Sequence, residues 1–136
     1  MLKSKIYSFE TLDVWTDARK LTVQVYKLTS RFPSEEKFGL ISQMRRSASS
    51  IGSNLAEGSS RDSLKDQARF TEISFGSLME LLNHLILSYD LNFLTESALK
   101  ELRINIESVG LKLDGLRKSQ IERHNSNGKL KPPKKS

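Results

Sequence analysis

Apolar residues recur at alternating steps of three and four in four separate stretches, and that spacing leaves this chain few folds to choose from. The first stretch carries Val14, Ala18, Leu21, Val25, Leu28 and Phe32. The second carries Ile41, Met44, Ala48, Ile51 and Leu55, with Phe38 just ahead. The third carries Leu64, Ala68, Thr71, Phe75, Leu78, Leu82, Leu85 and Tyr89, and the fourth Leu99, Leu102, Ile106, Val109, Leu113 and Leu116. Such steps place one side chain per turn on the same face of a helix, the seam of a bundle. No stretch sustains the alternation of a strand.

The boundaries are marked as clearly as the faces. Pro33 opposes continuation of the first helix, because its ring clashes and it has no N–H. Ser34 is expected to cap the second helix, with Glu35 and Glu36 in its first turn. Gly58 is expected to end that helix in a left-handed conformation. Ser63 and Asp66 have the spacing of a capping box for the third helix. Asn92 can terminate the third helix and Thr95 can cap the fourth. Connections this short set consecutive helices side by side. The expected fold is all-α: an antiparallel up-down-up-down four-helix bundle over residues 11–123. An N-terminal arm, 1–10, precedes it, and a flexible basic tail, 124–136, follows.

One helix is unusual. In Gln43–Arg61, QMRRSASSIGSNLAEGSSR, no charge occurs from Ser47 to Ala56. A surface helix ordinarily buries one stripe and covers the rest with charge. Mid-helix Gly52 costs about 1 kcal/mol relative to Ala, so a packing gain is expected to offset it. Two readings follow. In one, the small flank and the polar face (Gln43, Arg46, Ser50, Gly52, Asn54, Ala56, Glu57) form a subunit interface whose hydrogen bonds set its register. In the other, the helix packs only within its own bundle and its serines face water.

The net charge of +6 invites a nucleic-acid reading, so its location matters. From Met1 to Leu116, fifteen Lys and Arg balance fifteen Asp and Glu. The whole excess lies in residues 117–136, which hold seven basic residues and one acid. Candidate phosphate contacts are Arg45, Arg46, the ridge Arg61, Lys65 and Arg69, and the tail lysines Lys129, Lys131, Lys134 and Lys135. Asp62 and Asp66 flank the ridge and weaken its field, and pairing along the helix competes for its charges. Trp15, Tyr26 and Phe70 are able to stack on bases, but their places beside the apolar stripes favour packing.

Catalytic equipment is sparse. The chain has no Cys and two His, His84 and His124. That excludes disulfides, thiolate metal sites and a cysteine nucleophile. His84, in an apolar helix, reads as a hydrogen-bonded structural histidine. Glu80 precedes it by four residues rather than the three of di-metal bundles. No phosphate loop or nucleophile elbow is present. The expectation is a protein that is not an enzyme and uses no metal or other cofactor. No apolar run approaches the roughly 18–20 residues of a membrane span, and the opening MLKSKIYSFE has no signal core. A cytoplasmic location is expected, with no membrane partner.

Several motifs occur in a specific order. They are F-E-x-L-x-V-W from Phe9 to Trp15, F-P-x-E-E-x-F-G-L from Phe32 to Leu40, Q-x-R-R-x-A-x-S-I from Gln43 to Ile51, N-L-A-E-G from Asn54 to Gly58, and G-S-L-x-E-L from Gly76 to Leu81. With Tyr26, Arg61 and Phe70 they resemble the four-helix bundle family encoded by intervening sequences of bacterial 23S ribosomal RNA genes, over roughly Phe9 to Ile121. The resemblance implies a ring-shaped homopentamer and kinship with the accessory variability protein of diversity-generating retroelements. It also suggests a role with ribosomal RNA. The functional expectation is therefore a non-enzymatic homo-oligomer associated with ribosomal RNA or other nucleic acid through electrostatic contacts. The alternative is a structural adaptor that binds a protein partner.

Overall fold

The third and fourth helices start where their caps place them. Ser63 Oγ accepts from the backbone N–H of Asp66 at 3.0 Å, and Thr95 Oγ1 accepts from that of Ala98 at 3.1 Å. Each side chain satisfies a donor that the first helical turn leaves unpaired. Asn92 takes φ 64°, the left-handed conformation in which a helix C-terminus commonly ends. In the computed structural model, which describes residues 4–130 with side-chain surroundings through 127, four helices follow one another. These are α1 (Asp13–Thr29), α2 (Leu40–Ser59), α3 (Leu64–Asp90) and α4 (Glu96–Leu130). Short 3-10 helices at Ser8–Thr11 and Ser34–Glu36 precede α1 and α2. No strand occurs among the described residues.

Each helix packs on two neighbours: α1 on α2 and α4, α3 on α2 and α4. Thr22 reaches Ala48 and Thr29 meets Arg45. Ser50 meets Ser77, and Ser88 meets Met44. Glu72 meets Arg117, and Gln24 meets Asn105. As residue numbers rise along one helix they fall along its neighbour. The centre is dry: Leu21, Met44, Ile51, Leu78, Leu81, Leu85, Ile106 and Leu113 are fully buried. Removing these side chains from water supplies the main drive to fold.

Four local expectations are corrected. Helix α2 starts at Leu40 with Gly39 at its N-cap, after the 3-10 turn at Ser34–Glu36. Ser34 therefore does not cap it; Glu36 Oε2 instead approaches the Leu40 N–H at 3.3 Å. Phe38, in that connection, is 90% exposed. Gly58 is not left-handed, since no Gly among the described residues has positive φ. It lies inside α2, where a Cβ would come 2.6 Å from Phe70 Cβ, so its role is a close approach of α2 to α3. The stripe of α3 is rotated: Ser74, Leu81 and Ser88 are buried, whereas Phe75 and Leu82 are half-buried and Tyr89 is exposed. Finally, α4 does not stop at His124 but continues to Leu130. No proline interrupts it before Pro132, and adding residues to a helix already nucleated needs no apolar stripe. The remainder of the expected tail, 131–136, lies outside the described residues.

Candidate interaction surfaces

The charge-free stretch of α2 is contacted on two sides, and both contacts come from its own chain. Toward α3, Ser50 Oγ and Ser77 Oγ share a hydrogen bond of 2.9 Å. Asn54 Nδ2 donates back to Ser50 O at 2.8 Å and Ser50 Oγ at 2.9 Å. Ser74 of α3 donates to Ile51 O at 2.9 Å. Toward α1, Gly52 faces the edge of Trp15: a Cβ there would sit 3.5 Å from Trp15 Nε1. Small residues let α2 approach both neighbours, and hydroxyls bonded to carbonyls avoid the cost of unpaired buried donors.

The proposed interface residues therefore divide. Ser50, Gly52 and Asn54 are engaged within the chain, and Ala56 is half-buried. Gln43, Arg46 and Glu57 are exposed. Glu57 pairs with Arg61 one turn later, at 3.1 Å, rather than joining a network with Arg46 and Asn54. Between them, Ser49 and Ser53 donate to backbone carbonyls of the preceding turn. The outer strip of α2 is thus polar and low in charge, with its hydroxyl protons already committed.

The candidate phosphate ligands are scattered. Arg45 serves the fold: Nε donates to Thr29 Oγ1 at 2.9 Å, Nη2 to Tyr26 O at 3.3 Å, and the guanidinium lies 4.6 Å from the Tyr26 ring centre. A cation over the last carbonyls of α1 also complements the helix dipole. Arg61 and Arg69 flank Phe70, at 4.9 and 5.9 Å from its ring centre. Lys65 and Arg69 share a groove of about 520 Å³ with Glu72, Ile121 and His124, between the start of α3 and the end of α4. Arg117, from α4, is bound to Glu72 at 2.6 Å. Lys129 lies in the helical end of α4, while Lys131, Lys134 and Lys135 fall outside the described residues. On the opposite side of the bundle Lys112 is hydrogen-bonded to Asp17, which holds the ammonium pKa above its usual value.

The aromatics divide the same way. Trp15 packs edge-on against Phe9, centroids 5.0 Å apart, and anchors the N-terminal turn to α1. Tyr26 is 45% exposed beneath Arg45. His84 departs from its expected role: both ring nitrogens are buried without a hydrogen-bond partner, and Glu80 Oε1 is 3.7 Å from Nε2. Among the described residues no three His, Asp or Glu side chains converge as metal ligands. Nor is any helix among them long and apolar enough to cross a membrane.

Two features were missed in the sequence. Gln120 is 6% exposed and accepts from Thr71 Oγ1 at 2.8 Å. It continues the Leu113–Leu116 stripe by one step of four, and that step was the available signal. The other is an apolar cleft between α3 and α4, lined by Phe75, Met79, Leu82, Ile106 and Leu111, with a volume of about 390 Å³. Its clue is the second apolar line on α3, Phe75, Met79 and Leu82.

Fold and surface together define an all-helical, four-helix protein with a groove of mixed charge and an open apolar cleft. Residues 10–115 match the family described as 23S rRNA-intervening sequence protein, and the chain belongs to that family. Among solved structures it is similar to a protein of unknown function from the S23 ribosomal protein family of Bacteroides thetaiotaomicron. That likeness has a TM-score of 0.69 and 22% identity, over 77% of this chain and 95% of the other, and it speaks for the fold. A search of curated proteins found no match.

Proposed function

We propose that this chain is a non-enzymatic, cytoplasmic homo-oligomer that associates with ribosomal RNA or other nucleic acid through electrostatic contacts. The observation that carries the reading is the gathering of Lys65, Arg69 and His124 around one groove at the end of the bundle, where Glu72 is already paired with Arg117 of α4 and Asp66 remains as an opposing charge. Arg61 shares the Phe70 ring with Arg69, and the tail lysines follow on from α4 in sequence. The family's description, which names 23S rRNA, points the same way. An antiparallel, up-down-up-down order is supported by the reversed numbering of the helix pairs.

Self-association, as the pentameric ring that the resemblance implies, is supported by the α3–α4 cleft. Met79 and Leu111 stand 39% and 74% exposed beside it, and a second copy would remove this apolar surface from water. Gln43 and Arg46, with the exposed Glu57–Arg61 pair, line the face of α2 that a copy–copy contact would use.

The test is retention of RNA by the purified chain at about 50 mM salt, where phosphate contacts are strongest, and its steep loss toward about 200 mM. No retention at the lower salt rejects the RNA reading. A strict monomer at micromolar concentration, by light scattering or native mass, rejects the assembly. The charge balance up to Leu116 favours a second reading, an adaptor for a protein partner. A stoichiometric partner in a pull-down, unaffected by nuclease, would select it.

A further inference from the structure

A second cavity, of about 310 Å³, opens at the same end of the bundle, between the N-terminal 3-10 turn, the end of α2, the start of α3 and the end of α4. Its size is at the small end of ligand pockets. Leu55 and Leu116 supply apolar walls, and uncharged amides and hydroxyls supply most of the polar groups.

Those amides are only half used. Gln120, more than nine-tenths buried, accepts from Thr71 through Oε1, and its Nε2 has no partner among the described residues. Asn54 spends Nδ2 on Ser50 and keeps Oδ1 free. Gln67 spends Nε2 on Arg61 O and keeps Oε1 free. Among the described residues the fully buried side-chain atoms without a partner belong to His84, so the Gln120 amide nitrogen reaches the space of the cavity, where a ligand acceptor can take the place of water. Its amides thus offer a donor and two acceptors, none of them charged, between apolar walls. Arg123, exposed at the rim, has both terminal nitrogens free while Nε donates to Ser119 O.

We propose that this cavity binds a single unpaired nucleobase with a lactam edge, uracil or guanine. The C=O of the base accepts from Gln120 Nε2, its N–H donates to Asn54 or Gln67, its faces lie against the leucines, and Arg123 meets the attached phosphate. Reading unstacked bases by their hydrogen-bonding edges is a general mode of single-stranded RNA recognition. The free phosphate of a mononucleotide and the backbone of a strand offer the same chemistry. The strand as source rests on the RNA reading above.

The experiment compares oligouridylate with the same oligomer of N3-methyluridine, which has equal charge but no N3–H, by fluorescence anisotropy at about 50 mM salt. Oligouridylate is expected to bind about five- to tenfold more tightly, the worth of one hydrogen bond left unmade. Gln120→Leu is expected to erase that preference. Thr11→Trp, which fills the cavity mouth from an exposed position, is expected to do the same and decides the matter if Gln120→Leu does not fold. Uridine monophosphate, titrated alone, separates the sources: saturation at these residues in NMR assigns a free nucleotide, and binding of the oligomer only assigns a strand. Equal binding of both oligomers overturns the base pocket and leaves the RNA reading standing. A preference unmoved by either substitution overturns the pocket as well. Binding of the mononucleotide without any RNA retention upholds the pocket and rejects the RNA reading, and binding of neither rejects both.

Discussion

The two ends of this bundle are built on opposite principles. Where α1 finishes and α4 begins, Phe32 is 6% exposed and packs against Phe93, ring centres 5.6 Å apart, and Leu40 and Leu94 are buried as well. Where α1 begins and α4 finishes, the buried layer is the Thr71–Gln120 pair, Gly58 pressed on Phe70, and a cavity walled by amides. The first end excludes water with aromatic surface. The second keeps polar groups inside, hydrogen-bonded to one another or facing a cavity. Stability is expected to concentrate at the aromatic end and recognition at the polar one, since sites that bind commonly keep costs that a pure core removes.

Substitutions can break that contrast. Phe32→Ala is expected to cost about 3–5 kcal/mol, the usual loss for a buried Phe, as a shift in the urea midpoint. A loss below about 1 kcal/mol would show that the aromatic end is not where stability resides. Gly58→Ala comes next. A Cβ only 2.6 Å from Phe70 Cβ forces α2 and α3 apart, and overpacking of this kind costs roughly 1–3 kcal/mol. The gain in helix propensity returns up to about 1 kcal/mol, so the net loss is expected near 1–2 kcal/mol. Thr71→Val is milder. It removes the donor to Gln120 Oε1, but the amide borders a cavity and can recruit water, so about 1 kcal/mol is expected. Thermal denaturation checks both, and Thr71→Val should also weaken any ligand that depends on Gln120.

Much of this architecture is legible in the sequence, and the failures share one cause. The apolar steps locate all four helices, and Ser63, Asn92 and Thr95 mark their ends because a cap is a local contract between neighbours in the chain. The face of α3 is misread because its core-facing line includes Ser74 and Ser88, which score as polar. Ser74 is tolerated inside because its hydroxyl donates to Ile51 O, and Ser88 because it donates to His84 O at 2.7 Å. Those acceptors lie on a neighbouring helix or one turn back, and periodicity alone cannot announce them. The intrachain partners of Arg45 are hidden from the sequence for a related reason: Thr29 and Tyr26 come from α1 and meet it only after folding. The contacts that α1 and α3 make with the low-charge stretch of α2 come from residues far away in the chain, so its spacing does not show them. The polar cavity needs four elements at once, so its residues carry no shared spacing.

Gly52 offers the smallest effect and the sharpest division between contacts within the chain and contacts beyond it. Within the chain, glycine is not required there. A Cβ would rest 3.5 Å from Trp15 Nε1 and 3.6 Å from Cδ1, ordinary van der Waals separations. Replacing a mid-helix Gly with Ala relieves backbone entropy, so Gly52→Ala is expected to stabilise the folded chain by roughly 0.5–1 kcal/mol. Trp15 is the only tryptophan, so its fluorescence reports both the fit of the new methyl and the unfolding midpoint. The mass of the assembly then separates the two readings of α2. A stabilised variant of unchanged mass means that the small-residue flank serves α1 alone. A stabilised subunit that assembles less well means that the space beside Gly52 is kept for another copy, at a cost in helix stability that the bundle itself has no reason to bear.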